Sequence, residues 1–138
     1  MSQISGIMDT IKRQKKGDNI IESIKTMIRF SADVIAENES KMVLDFRDYL
    51  VEIFFSNIQP LMVIRLVKSI KIPDCYEIYK IANDLNKDCI YGCHCFDIQK
   101  KRYYFQSTHW LQGVLSSKTL YEMLEIYDIE AKKVLSQM

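Results

Sequence analysis

The stretch from Ser40 to Ile72 constrains this chain more than any other, because it holds two apolar runs with Asn57 and Pro60 marking the break between them. In the first run Met42, Val43, Phe46, Tyr49, Leu50, Ile53 and Phe54 recur at three- and four-residue intervals. That spacing predicts an amphipathic helix. Leu44, Val51 and Phe55 widen the stripe, while Asp45, Arg47, Asp48 and Glu52 leave a narrow polar edge. Ser40 suits the N-cap, where a short hydroxyl accepts from an unpaired backbone N–H. Pro60 suits the first position of a second helix. From Leu61 to Ile70 only Arg65, Lys68 and Ser69 are polar. A helix apolar nearly all round belongs at the centre of a core. Each fully buried side chain of this size contributes roughly 1.5–3 kcal/mol, so this pair is expected to carry much of the stability. Neither run reaches the roughly 20 apolar residues of a transmembrane segment.

A length of 138 residues fits one domain. Hydrophobic residues at 48% against 27% charged exclude an intrinsically disordered chain. The 19 basic and 18 acidic residues nearly cancel, so no global charge draws the chain to nucleic acid or an anionic membrane. Met1 to Lys16 lacks a long apolar core, and no export signal is expected. The four cysteines then read as reduced thiols in a cytoplasmic setting. Four glycines and two prolines favour a chain dominated by helices.

Residues 1–16 read as a flexible or docking N-terminal segment, with Ile4, Ile7, Met8 and Ile11 at helical spacing ahead of a basic run. Residues 17–138 read as a single helical domain. Gly17 and Asp18 open a helix whose stripe is Ile20, Ile21, Ile24, Met27, Ile28, Ser31, Val34 and Ile35. A further helix is expected from about Asp74 to Asn86, on Cys75, Ile78, Ile81, Ala82 and Leu85. The segments 89–96 and 102–106 lack a helical period and carry strand formers, which predicts one small β-hairpin near residues 89–106. A short helix through His109 and Trp110 to Leu115 follows. A last helical region, in one or two pieces, begins at Ser116 or Ser117. The expected fold is mostly α, with five or six helices and that one hairpin.

The sharpest chemical candidates lie in the hairpin. Thiolate and imidazole suit zinc, which makes the constellation Cys89, Cys93, His94, Cys95 and, at a distance, His109 a candidate, with Cys89, Cys93, Cys95 and His109 as its metal set. Their spacing departs from paired zinc motifs, and on a strand Cys93 and Cys95 point away from His94. The competing reading is buried cysteines acting as small hydrophobes, with no cofactor. Cysteine-dependent chemistry would pair Cys93 or Cys95 with His109 as base. The sequence holds no phosphate loop, HExxH or serine-hydrolase elbow, so the expectation is a non-enzymatic protein.

Two binding readings follow. Large aromatic residues such as Phe54, Phe55, Tyr103 and Trp110 predict a regulatory protein acting through protein–protein association, including a homodimer. The alternative is a winged-helix-like nucleic-acid binder, because helix 61–70, helix 74–86 and the hairpin come in that order. Its wing would present Lys100, Lys101 and Arg102 at the tip with Tyr103 behind. Against it, Asp74, Glu77 and Asp84 outnumber Lys80 and Lys87 on the recognition helix.

Overall fold

The computed structural model describes residues 19–56, 58–71, 76–113 and 115–138. Alternation of side chains organises the centre of the chain, where a helical period was expected. Met42 and Leu44, then Val51, Ile53 and Phe55, then Met62, Ile64 and Leu66 are all buried, two residues apart within each run. A period of two means strands. The predicted helix over 41–56 is instead the hairpin of β2 (Lys41–Phe46) and β3 (Tyr49–Phe55), and the predicted helix over 61–70 is β4 (Leu61–Ser69). The reason is that both faces of these strands are largely apolar. Val43, Leu50, Phe54, Val63 and Val67 fill the alternate positions, so the run satisfies a 3.6-residue period as readily as a period of two. Its richness in Val, Ile, Phe and Tyr favours the pleated form.

The remaining elements are α1 (residues 19–31), β1 (Asp33–Glu37), α2 (Tyr76–Asp88), β5 (Cys93–Asp97), β6 (Arg102–Trp110) and α3 (Ser117–Leu135). The strands form one antiparallel sheet in the order β1-β2-β3-β4-β6-β5. The expectation of a mostly helical domain of five or six helices is therefore overturned by a six-stranded sheet with three helices among the described residues. Without a helix over 61–70, the winged-helix order of elements is absent as well. The 89–106 hairpin is present as β5 and β6. No short helix runs through His109, because His109 and Trp110 end β6. The final region is one continuous helix, N-capped by Ser116, whose Oγ accepts from the Thr119 N–H at 3.2 Å. The expectation for residues 1–16 falls outside the described residues.

All three helices cover the same face of the sheet. Cross-strand rows such as Leu44–Val51–Leu66–Phe105 set that face. Ile21, Ile24 and Ile28 of α1, Ile78 and Ala82 of α2, and Leu120, Leu124 and Val134 of α3 join them in one core. Edge-on and tilted ring pairs lock the layers, Tyr79 against Phe96 at 5.1 Å and Phe105 against Tyr127 at 5.3 Å. Tyr121 ties α3 to α1 by donating to the Ser31 carbonyl at 2.7 Å.

Both sheet edges are blunted. β1 carries a bulge between Val34 and Ala36. At β5 the Asn86 side chain clasps the backbone of His94, accepting from its N–H at 2.6 Å and donating to its carbonyl at 2.9 Å. Bulges and covered backbone oppose edge-to-edge pairing. Just before β5, Gly92 passes so close to the Gln106 carbonyl that a Cβ would sit 2.2 Å from its oxygen. Only glycine fits there.

Ile64 on the central strand is fully buried, whereas Ile35 on β1 is 57% exposed. Urea unfolding is expected to show a loss of about 3–4 kcal/mol for Ile64→Ala and less than about 0.5 kcal/mol for Ile35→Ala. Equal effects at the two positions would contradict the one-sided core.

Candidate functional site

The face of the sheet opposite the helices is the largest functional candidate. Its contacts among the described residues run within the sheet. Val43, Leu50, Phe54 and Val63 project from it, and Trp110 stands at its end, with Leu50 44% and Trp110 62% exposed. Arg65 lies between two rings, its guanidinium 5.0 Å from the centroid of Phe54 and 4.7 Å from that of Tyr104. Its Nε donates to Gln106 Oε1 at 2.7 Å, and Lys41 Nζ covers Phe54 at 5.1 Å. Glu52, directly opposite Arg65, is nearly buried. Lys41 Nζ binds its Oε2 at 2.7 Å and Arg102 Nη1 lies 3.5 Å from its Oε1. Burial alone would raise this carboxyl, but Lys41 and Arg102 together hold it below the usual carboxylate range. The face carries Lys41, Arg65 and Arg102 against Asp33, Asp45, Glu52 and Asp97, so both signs of charge are interspersed on it with a slight acidic excess.

Three polar clusters sit on the helix-covered side. In the first, Asp128 of α3 accepts from Tyr49 Oη and from Arg47 Nη1, both at 2.6 Å, and from Lys132 Nζ at 3.2 Å. The Arg47 contact holds a hairpin residue whose φ of 52° lies in the left-handed region. Burial opposes ionisation of Asp128, but the bonds from Tyr49, Lys132 and Arg47 outweigh it and lower its pKa. In the second cluster, Ser107 Oγ, His109 Nε2 and Tyr127 Oη form a triangle with sides of 2.8, 2.8 and 2.9 Å. Burial lowers the His109 pKa and so favours the neutral ring. These groups satisfy one another.

The third cluster joins the loop before β5, β5 itself and α3. Cys89 Sγ lies 3.9 Å from Glu130 Oε2, and His94 Nε2 lies 3.7 Å from the same oxygen. The ligand atoms of Cys89, His94 and Glu130 all fall within 4.8 Å of one another. Glu130 Oε1 takes a bond from Lys133 Nζ at 2.8 Å, which leaves Oε2 facing the other two residues. The His94 side chain is fully buried, with Nδ1 2.6 Å from Tyr103 Oη. Among the described residues, His94 Nε2 has no hydrogen-bond partner. These three side chains offer the donor types that hold a metal ion.

The residues singled out from sequence are distributed across these places. Cys93 and Cys95 lie on the uncovered face, their Sγ atoms 3.5 Å apart, while Cys89 joins His94 and His109 belongs to the Tyr127 triangle. The set Cys89, Cys93, Cys95 and His109 does not converge. Burial, reinforced by the neighbouring Cys93, pushes the Cys95 thiol up to about 12, which disfavours the thiolate a nucleophile needs. Phe54 and Trp110 lie on the uncovered face, whereas Phe55 and Tyr103 are buried beneath the helices. Lys100 and Lys101 are exposed at the β5–β6 turn, but Arg102 reaches back to Glu52. Sequence reasoning missed Leu50, Arg65, Glu52, Asp128 and Glu130. Comparison of the chain with protein-family models, curated proteins and solved structures found no match.

Asp128 generates a test of acid stability. Its native pKa lies below the ordinary 3.8, so as the pH falls the unfolded chain takes up a proton before the native state does. The stabilisation is complete above the ordinary value and is lost as the pH drops through the native one. Asp128→Asn is expected to lower the urea midpoint at neutral pH by about 2 kcal/mol equivalent and to flatten the decline between about pH 5 and pH 3. A mutant acid limb as steep as the parent's would remove Asp128 as its source.

Proposed function

We propose that this chain is a non-enzymatic protein-association module, and that its uncovered sheet face pairs with a second copy of itself. The observation that carries the reading is the one-sided cover: three helices on one face, none of the described residues over the other. The size fits. Strands of five to nine residues, about seven on average, at about 3.3 Å each across five spacings of about 4.8 Å outline roughly 550 Å², and projecting side chains add to that. A standard interface buries about 800 Å² per partner. Leu50, Phe54 and Trp110 supply the apolar and aromatic anchors that such contacts use.

Two features favour a second copy as the occupant. A two-fold interface must be self-complementary, and a face carrying both signs of charge can meet itself with cations opposite anions. The blunted edges also direct association to the face. The slight acidic excess weighs against nucleic acid, whose phosphates call for a basic patch. Tyr103, the aromatic expected to stack behind a basic tip, is fully buried. The satisfied Ser107–His109–Tyr127 triangle and the protonated Cys95 thiol support the non-enzymatic part of the reading.

Sedimentation velocity across the micromolar range tests it. The parent chain is expected to sediment as a dimer. Leu50→Lys combined with Val63→Lys is expected to give a monomer with an unchanged far-ultraviolet circular dichroism spectrum. A monomeric parent, or a dimer indifferent to both lysines, would defeat the proposal. Salt-dependent binding of an oligonucleotide to the parent would favour the nucleic-acid reading in its place.

A further inference from the structure

We propose that Cys89, His94 and Glu130 form a binding site for one zinc ion. This is not the metal set expected from sequence: Cys89 and His94 belong to the constellation seen there, but Cys93, Cys95 and His109 lie elsewhere and Glu130 is new. The argument begins with His94. Its side chain is fully buried, and among the described residues its Nε2 has no partner. Neither ring tautomer satisfies that atom. With hydrogen on Nε2, the donor faces Glu130 Oε2 at 3.7 Å, beyond hydrogen-bond reach. With hydrogen on Nδ1, that group donates to Tyr103 Oη and the Nε2 lone pair faces a carboxylate oxygen. A cation between nitrogen and oxygen resolves both problems.

The donor set suits zinc. Thiolate sulfur, imidazole nitrogen and carboxylate oxygen are its ordinary ligands, at about 2.3, 2.0 and 2.0–2.2 Å. Tetrahedral geometry with those bonds separates ligand atoms by roughly 3.3–3.6 Å. Here Cys89 Sγ and His94 Nε2 stand 3.9 and 3.7 Å from Glu130 Oε2, with all three atoms within 4.8 Å. Shifts of a few tenths of an ångström bring the two contacts of Glu130 Oε2 to zinc distance, and rotation of the Cys89 side chain closes its separation from His94 Nε2, which lies within 4.8 Å. The outer contacts are in place already. Tyr103 Oη lies where it accepts from Nδ1, the arrangement that fixes a metal-bound imidazole, and Lys133 occupies the carboxylate oxygen the metal would not use. Asn86 holds the His94 backbone at both its N–H and its carbonyl. Three protein ligands leave one position for water.

The test uses the full chain, stripped with a chelator under reducing conditions. Zinc is titrated against a chromophoric competitor, and native mass spectrometry counts the ions. Cobalt(II) serves as the spectroscopic probe. The expected result is one zinc per chain, with a thiolate-to-cobalt charge-transfer band in the near ultraviolet. Outer-contact changes alone weaken zinc sites by about 10- to 100-fold. Loss of a ligand in Cys89→Ser or Glu130→Gln is therefore expected to weaken binding by about 100-fold or more. Cys89→Ser also removes the cobalt band. Glu130→Gln keeps the side-chain shape and an acceptor for Lys133, so it tests the site even if Cys89→Ser folds poorly. Cys93→Ser with Cys95→Ser is expected to keep full stoichiometry and the band. Absence of a 1:1 zinc complex would overturn the proposal, as would binding that survives Glu130→Gln or is lost with Cys93 and Cys95.

Discussion

One-sided burial of the sheet is the constraint on which the rest of the structure depends. The rows Leu44–Val51–Leu66–Phe105 and Met42–Ile53–Ile64–Ser107 run across four strands, and every helix that seals them lies on that side. Because successive residues alternate faces, this choice commits each strand at once: a register slip of one residue would bury Glu52 and Arg65 and expose Ile53 and Ile64. The first four strands follow one another through short connections. After β4 the chain leaves the sheet through α2, returns at the far edge as β5, and fills the gap beside β4 with β6. The sheet is thus completed by its least local pairing, β4 with β6, and α3 then closes over the seam.

Among the described residues no helix lies over the open face, and its polar groups lie over its apolar ones. Arg65 between Phe54 and Tyr104, and Lys41 over Phe54, are stacking contacts worth roughly 0.5–1 kcal/mol each at exposed sites. The aliphatic stems of such side chains shield apolar surface while their charged ends remain hydrated. Glu52 sits among those cations and neutralises part of their charge. The result is a flat surface with apolar content and no strong field. Such a surface is stable alone, and at its centre the Glu52 carboxylate is already met by Lys41 and Arg102.

The hairpin and the C-terminal helix were legible in the sequence because their signals were local. Segment 89–106 combined strand formers with the lack of a helical period, and Ser116 read as a cap. The central strands were not legible by period, because both of their faces are apolar. The remaining discriminator, the density of β-branched and aromatic residues between 43 and 67, was outweighed by an incidental match to 3.6. The site residues show the same division. Cys89 and His94 drew notice by their chemistry alone. Glu130 and Asp128 did not, since they stand beside Lys132 and Lys133 in a segment that reads as a solvated helix. Their phase gave a usable signal: Asp128 follows Leu124 by four, and Glu130 precedes Val134 by four, so both carboxylates fall on the buried stripe. A charge on an apolar stripe has to be paired or bound, and Asp128 is paired through Tyr49, a partner 79 residues away that only the fold supplies.

The same alternation of side chains separates the two proposed sites. On β5, His94 turns inward to Tyr103 and Glu130, while Cys93 and Cys95 turn outward onto the open face. An ion held by Cys89, His94 and Glu130 would join the end of α2, the edge strand β5 and α3 beneath the sheet, without touching the Leu50, Phe54 and Val63 surface above it. Its effect would fall on the least supported part of the fold, because β5 has a neighbouring strand on one side only. There it would add to the Asn86 clasp. Association through the central strands needs no contribution from that corner, so the two properties are separable by substitution. The same reasoning explains why His94 can tolerate a buried, half-satisfied imidazole: Tyr103, Phe105 and Asn86 fix its position from three directions, and only the direction of Nε2 is left open.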